Sequence, residues 1–193
     1  MLDAARDLLL ESGSSNATIE AIADLSGAPT GSIYHRFGSR DGLLTRLWLR
    51  AVYRSQASFL AALEHENPRT AALAAAQSIL EFCEQEPADA RLLVSFRRED
   101  LIRTAPSGQL ADELEELNRP LETAVVALAR RLYGRPTRAA LNRTLLAVFD
   151  LPYGAVRRYL ITGTKLPAGL RDDLARAVNA VLEDGERRRG GRR

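Results

Sequence analysis

Thr18-Ile19-Glu20-Ala21-Ile22-Ala23-Asp24-Leu25-Ser26-Gly27-Ala28-Pro29-Thr30-Gly31-Ser32-Ile33-Tyr34-His35-Arg36-Phe37-Gly38-Ser39-Arg40-Asp41-Gly42-Leu43-Leu44 is the stretch on which the fold of this chain turns. Asn16 and Thr18 carry side-chain oxygens of the kind that cap a helix, and the run from Ile19 to Leu25 places Ile19, Ile22 and Ala23 on one face. Ser26-Gly27-Ala28 is turn chemistry. Pro29, favoured in a first helical turn, opens a short helix to His35 or Arg36, with Ile33 and Phe37 one turn apart on its inner side. A helix, a tight turn and a second short helix form the geometry that lays the second helix in a DNA major groove while the first crosses the backbone. Pro29, Thr30, Gly31, Ser32, Tyr34, His35 and Arg36 then make up the candidate contact surface. Gly31 permits close backbone approach, Tyr34 offers a hydroxyl to phosphate, and Arg36 and Arg40 bring charge. Base reading falls to Thr30, Ser32, His35 or Arg36.

Working outward, Leu2, Ala5, Leu8 and Leu9 stripe a first helix over 2–12 that Gly13 stops. On the other side Ser39 caps a long helix whose buried face is Leu43, Leu44, Leu47, Trp48, Ala51 and Val52. Breakers delimit the rest into helices over about 70–85, 88–102, 107–132, 138–163 and 168–184. Leu110, Leu114, Leu117, Leu121, Val125, Leu128 and Leu132 form one stripe, as a bundle helix requires. Pro120 and Pro152 each remove a backbone donor, which predicts kinks or restarts capped by Asn118 and Asp150. Nowhere do apolar and polar residues alternate at strand spacing. The predicted fold is all-α: a three-helix helix-turn-helix domain over 1–46, joined by the long helix to a helical bundle over 47–185, then a disordered basic tail over 186–193.

The chain has 193 residues, 46% hydrophobic and 27% charged, with a formal net charge of +2, the balance of a folded globular protein. The charge is unevenly spread: Arg36, Arg40, Arg46 and Arg50 fall together with only Asp41 among them. Cys83 is the single cysteine, so no intramolecular disulfide or thiolate cluster is available, and it reads as a small core residue. His35 and His65 stand far apart with no ligand pattern around them, which predicts no metal site. No phosphate-cradling glycine loop, paired-cysteine motif or His-Glu metalloprotease pattern occurs, so neither a cofactor nor catalysis is expected. No apolar run approaches membrane-spanning length, and an acid, Asp3, sits at the very start; the expected location is cytoplasmic, with no membrane partner.

The stretch from Thr18 to Leu44 resembles the TetR family DNA-binding signature. The family pattern is a Thr opening the second helix, an Ile-Ala pair, a Gly turn, Gly-Thr/Ser-Leu/Ile-Tyr-His-x-Phe, and a Ser-Lys/Arg-acid start to the fourth helix. All of these are present. Pro29 stands where Ser or Thr is frequent and Thr30 where Lys is frequent, so base specificity is not carried over. Family members often carry a short basic arm before the first helix; here the sequence opens almost directly on the helix, so that contact is absent or the arm lies outside this sequence. The resemblance covers residues 1 to about 50. It implies that Thr18, Thr30, Tyr34 and His35 contact DNA and that Arg40 meets a phosphate.

The resemblance also implies a palindromic double-stranded operator, a homodimer, a small-molecule effector and repression. A ligand pocket among the middle helices would draw on Phe82, Cys83, Leu92, Phe96, Val125, Phe149 and Tyr153. The last two long helices, paired across a two-fold, would form the dimer interface, with Leu145, Val156, Leu160, Leu174, Val178 and Val181 as candidates. Two other classes remain open on the residues alone. A DNA-binding protein that senses no ligand would bind duplex that no small molecule releases, and a helical-bundle enzyme or carrier would bind no duplex.

Overall fold

The computed structural model describes residues 1–97 and 108–190, with side chains through 183, and among the described residues there is no strand. The helices are α1 (Leu2–Ser12), α2 (Ile19–Ser26), α3 (Thr30–Phe37), α4 (Arg40–Leu63), α5 (Pro68–Gln85), α6 (Pro87–Ser95), α7 (Gln109–Glu116), α8 (Arg119–Tyr133), α9 (Arg138–Leu145), a π-helical turn (Leu146–Asp150), α10 (Leu151–Thr162) and α11 (Leu170–Gly190). The all-α expectation holds. Two compact units emerge: Met1–Arg54 with Glu86–Leu117, and Ser55–Gln85 with Asn118–Arg193. The chain of α4 passes from the first into the second.

In the first unit Ala5, Leu9, Ile22, Ile33, Leu43, Leu44 and Leu47 are buried in one cluster, to which α6 adds Leu92. A second cluster joins Leu49 and Val52 of α4 to Leu117, with Trp48, Leu93, Leu110 and Leu114 half-buried around it. Between these apolar contacts lies Asp89 of α6, fully buried. Its carboxylate receives Arg6 of α1 at 2.9 Å and Arg54 of α4 at 2.9 Å, with Arg50 at 3.6 Å. One carboxylate thus ties three helices. Arg50 also reaches Asp3 at 2.8 Å, and Arg46 and Tyr53 of α4 both bind Glu113 of α7.

The second unit packs α5 against α8, α10 and α11. Its α11 is fastened to α5 by Arg171, which forks onto Glu81 at 2.9 Å and Glu84 at 3.1 Å. Arg131 of α8 donates to the carbonyls of Leu63, His65 and Glu66, which supplies partners to backbone acceptors that a helix C-terminus leaves open.

Several boundaries differ from the sequence reading. The helix predicted over 88–102 ends at Ser95: Phe96 is extended, and its ring packs against the first unit's core. The stretch predicted as one helix over 107–132 is α7 and α8, parted just before Pro120, as its missing donor requires. Asn118 does not cap α8 with its side chain; its Oδ1 accepts instead from Gln56 Nε2 at 3.3 Å. Asp150 likewise makes no capping bond. Pro152 is accommodated by the π turn before it, where the Leu151 amide reaches back to the carbonyl of Leu146. That wider turn relieves the clash of a proline ring with the preceding turn without breaking the helix. The last helix continues past Gly185, where the sequence reading ended it, to Gly190. The predicted boundaries at 102 and 107, and residues 191–193 of the predicted tail, lie outside the described residues.

Candidate nucleic-acid interface

The short α3 owes its orientation to its two neighbours. Thr18 Oγ1 accepts from the Ala21 amide at 3.2 Å and fixes the start of α2, while Gly27 at φ 67° makes the left-handed turn into Ala28 and Pro29. Ile33 is fully buried and Phe37 half-buried, so the inner side of α3 is anchored in the apolar cluster. Geometry then leaves the other face free. Pro29, Gly31, Ser32, Tyr34, His35 and Arg36 are exposed, Thr30 is half-buried, and Thr18 is exposed at the head of α2. The structure therefore brings every α3 residue singled out in the sequence onto one short helix.

Around Gly31, Ser32, His35 and Arg36, together with Met1, the surface forms an open depression of about 520 Å³. Its walls combine hydroxyl, imidazole and guanidinium groups with no carboxylate. Tyr34 stands 49% exposed, and the Arg36 guanidinium lies 5.6 Å from the Phe37 ring centroid. Such a face suits phosphate and base edges.

Arg40 has a different position from the rest. Its Nε donates to the Ala17 carbonyl at 2.8 Å and its terminal nitrogen to the Ser14 carbonyl and hydroxyl, with Asp41 at 3.6 Å. It fastens the loop between α1 and α2 to the start of α4. Ser39 caps that start, its hydroxyl accepting from the Gly42 amide at 3.0 Å.

Gly42 is a residue that the sequence reading passed over. A Cβ there would lie 2.1 Å from the Phe37 carbonyl oxygen, so the end of α3 and the start of α4 meet backbone to backbone. Gly31 is the opposite case: a Cβ would meet nothing within 4 Å. The two glycines make a paired prediction. Gly42→Ala will destabilise the protein by about 1–3 kcal/mol through overpacking. Gly31→Ala will hold or raise stability, by up to about 1 kcal/mol of helix propensity, yet weaken duplex binding by placing a methyl group between backbone and DNA. Urea unfolding beside a duplex titration separates the two effects.

The remaining candidates scatter. Phe82, Cys83 and Val125 are buried in the second unit, whereas Leu92 and Phe96 belong to the core of the first. Phe149 and Tyr153 are exposed and stack on each other, centroids 6.0 Å apart. Val156, Leu160, Leu174 and Val178 face their own chain's interior, Val181 is half-buried, and Leu145 is exposed. Burial, with the nearby Glu84 charge, pushes the Cys83 thiol up to about 12, so it stays protonated at neutral pH and is a poor nucleophile. Among the described residues no group of His, Cys, Asp and Glu is arranged to hold a metal ion, and no helix is long and apolar enough to cross a membrane.

A buried three-helix frame presenting a polar, basic short helix defines a helix-turn-helix DNA-binding protein. Residues 1–47 match the model of the bacterial regulatory proteins, tetR family, so this segment is similar to the DNA-binding domain of that family. No curated protein matches it. Among solved structures it is similar to the TetR family transcriptional regulator PfmR from Thermus thermophilus, at 17% identity over 94% of this chain and 96% of that one, with a TM-score of 0.69. The fatty acid degradation regulator FadR from Bacillus halodurans follows at 16% identity over 94% of each chain, TM-score 0.65. FadR from Bacillus subtilis in complex with stearoyl-CoA has 16% identity over 94% of each chain and a TM-score of 0.64. These likenesses establish the shared fold.

Proposed function

We propose that this protein is a repressor that binds a palindromic operator as a homodimer and is released by a small-molecule effector. The observation that carries the DNA-binding half is the outer face of α3, polar along its length and basic at its last turn, on a helix whose inner side is locked into a core. Thr18, Pro29, Thr30, Gly31, Ser32, Tyr34, His35 and Arg36 contact the duplex, with Tyr34 on phosphate and Ser32, His35 or Arg36 at base edges. Arg40 acts on DNA by holding the α1–α2 loop in place.

Pairing of two copies is supported by the exposed apolar residues Leu145, Leu146, Phe149, Tyr153 and Ile161, which follow one another along α9, the π turn and α10. In the operator-bound dimer the two recognition helices lie about one DNA turn apart, roughly 34–36 Å. The effector is taken up in the second unit, where Phe82, Cys83 and Val125 offer an apolar interior suited to an acyl chain, the chemistry of the stearoyl-CoA bound by FadR from Bacillus subtilis. Binding of effector and operator to different states of one dimer yields a coupling on the order of 1–3 kcal/mol, reciprocal between the two ligands. The protein works in the cytoplasm and carries out no chemistry of its own.

The test is selection of bound duplexes from a random pool at moderate salt, run with the parent and with a Tyr34→Ala, Arg36→Ala variant. The parent is expected to enrich a two-fold symmetric site. The variant should lose about 1–3 kcal/mol for a base-reading arginine and more for the phosphate contact. Failure of a folded parent to enrich any duplex removes the proposal.

A further inference from the structure

We propose that, within the homodimer proposed above and resting on that reading, α10 of one chain lies antiparallel against α10 of the other about a two-fold between Tyr153 and Gly154, so that Asp150 of each chain pairs with Arg157 of its partner. Leu146, Asp150, Tyr153, Gly154, Arg157 and Ile161 are all exposed in the single chain. They recur at intervals of three or four residues along the π turn and α10, and so share one face. That face is not uniformly apolar. Asp150 and Arg157 stand within it, and the side chain of neither is paired with another described residue. Seven positions separate them, roughly 10 Å along the helix axis, where an ion pair along one helix needs a spacing of three or four. An unpaired acid and an unpaired base oppose burial of an apolar face unless the partner brings each its countercharge.

A second copy of the same face supplies both countercharges. A two-fold perpendicular to a helix sets each position ahead of the axis opposite the position equally far beyond it on the partner. With the axis between Tyr153 and Gly154, Asp150 faces Arg157 twice over, once from each chain. The same axis sets Leu146 against Ile161 at both ends and Tyr153 against Gly154 at the middle. Charge, apolar ends and the large-to-small match at the centre thus all select one register. Gly154 has no other explanation in the fold. A glycine weakens a helix interior, and a Cβ at this position would meet nothing within 4 Å in its own chain, so its own packing does not require it. The missing side chain instead leaves room for the partner's Tyr153 ring, which Phe149 stacks against in its own chain.

Sedimentation equilibrium of the full chain, with thermal unfolding to verify the fold, tests this. Asp150→Arg and Arg157→Asp should each weaken the dimer Kd at least about tenfold, since each sets like charges opposite one another twice per dimer. Mixed in equal amounts, the two variants should dimerise again, because both charge contacts between unlike chains are then of opposite sign. Gly154→Leu should lose the dimer while matching or exceeding the parent's Tm, since leucine favours the helix as it blocks the close approach. A parent that sediments as a monomer removes the homodimer and this register with it. A parent dimer that none of the substitutions weakens leaves the homodimer standing and overturns the register. Two weakened variants whose mixture stays monomeric also overturn it, since the charges would then act within one chain.

Discussion

Asp89→Ala will lower the stability of the protein by about 3–5 kcal/mol, the usual consequence of removing one partner from a buried ion pair. The carboxylate is fully buried and is approached by the guanidinium groups of Arg6, Arg54 and Arg50, whose side chains are 15%, 42% and 21% exposed. Removing it leaves three cations converging on a space with no countercharge and little water. Asp3 and Glu86 cannot substitute, since Asp3 already serves Arg50 and Glu86 already serves Arg54 from the rim. Asp89→Asn is the sharper variant: it keeps shape and hydrogen-bonding capacity and deletes only charge, and a loss above about 2 kcal/mol there would assign the effect to electrostatics. Urea unfolding at neutral pH measures both. A loss below about 1 kcal/mol for Asp89→Ala would show that the arginines relax into solvent at little cost.

The rim of the same cluster has a pH signature. Burial alone would raise the Asp3 carboxyl, but its hydrogen bond from Arg50 and the charges of Arg50, Arg6 and Arg54 outweigh that and hold it below the ordinary 3.8. A carboxylate with a depressed folded value contributes its stability above the unfolded value and loses it as pH falls through the folded one. Acid titration should therefore loosen the contact of Asp3 with Arg50 only below about pH 4, and Asp3→Asn should flatten that part of the stability profile. The side chain is 67% exposed, so solvent screens the effect and it stays small beside that of Asp89.

Asp89 also marks where sequence reasoning stops. Thr18, Gly27 and Ser39 act within a few residues of their own positions, so the helix-turn-helix was legible in local spacing. Asp89 sits between alanines in a short helix and meets Arg6 from the other end of the domain; no periodicity reports a pairing of that kind. Gly42 escaped for the same reason, since only the approach of two backbones singles it out. Arg40, which the family resemblance assigns to a phosphate, also tethers Ser14 and Ala17, a contact that only the fold brings within reach. The bundle helices expose a further limit. Helical spacing finds the most apolar stripe, and within the single chain that stripe is core: Val156, Leu160, Leu174 and Val178 are buried, whereas Leu145, Leu146, Phe149 and Ile161 are exposed.

On the proposed dimer, Phe149→Glu is expected to yield monomers and to lower affinity for the proposed operator at least a hundredfold, without loss of fold. Phe149 is 42% exposed and lies at the π turn, stacked on Tyr153 with ring planes 4° apart, between Leu145 and Leu146 on one side and Ile161 on the other. At a two-fold interface each residue near the axis meets its own copy, so one substitution introduces two carboxylates into the same apolar contact. Burying an unpaired charge costs several kcal/mol per site, more than a dimer of moderate affinity retains. The isolated chain should hardly notice, because a partly exposed side chain changed at the surface alters stability by about 0.5 kcal/mol or less. Leu174→Ala supplies the contrast. That residue is 4% exposed, and its truncation should cost about 2–5 kcal/mol of stability, with dimerisation and operator binding unchanged where the protein remains folded. Sedimentation equilibrium and operator titration on the two variants decide between the faces: a dimer that survives Phe149→Glu but dissociates in folded Leu174→Ala would put the two-fold on the other side of the helices.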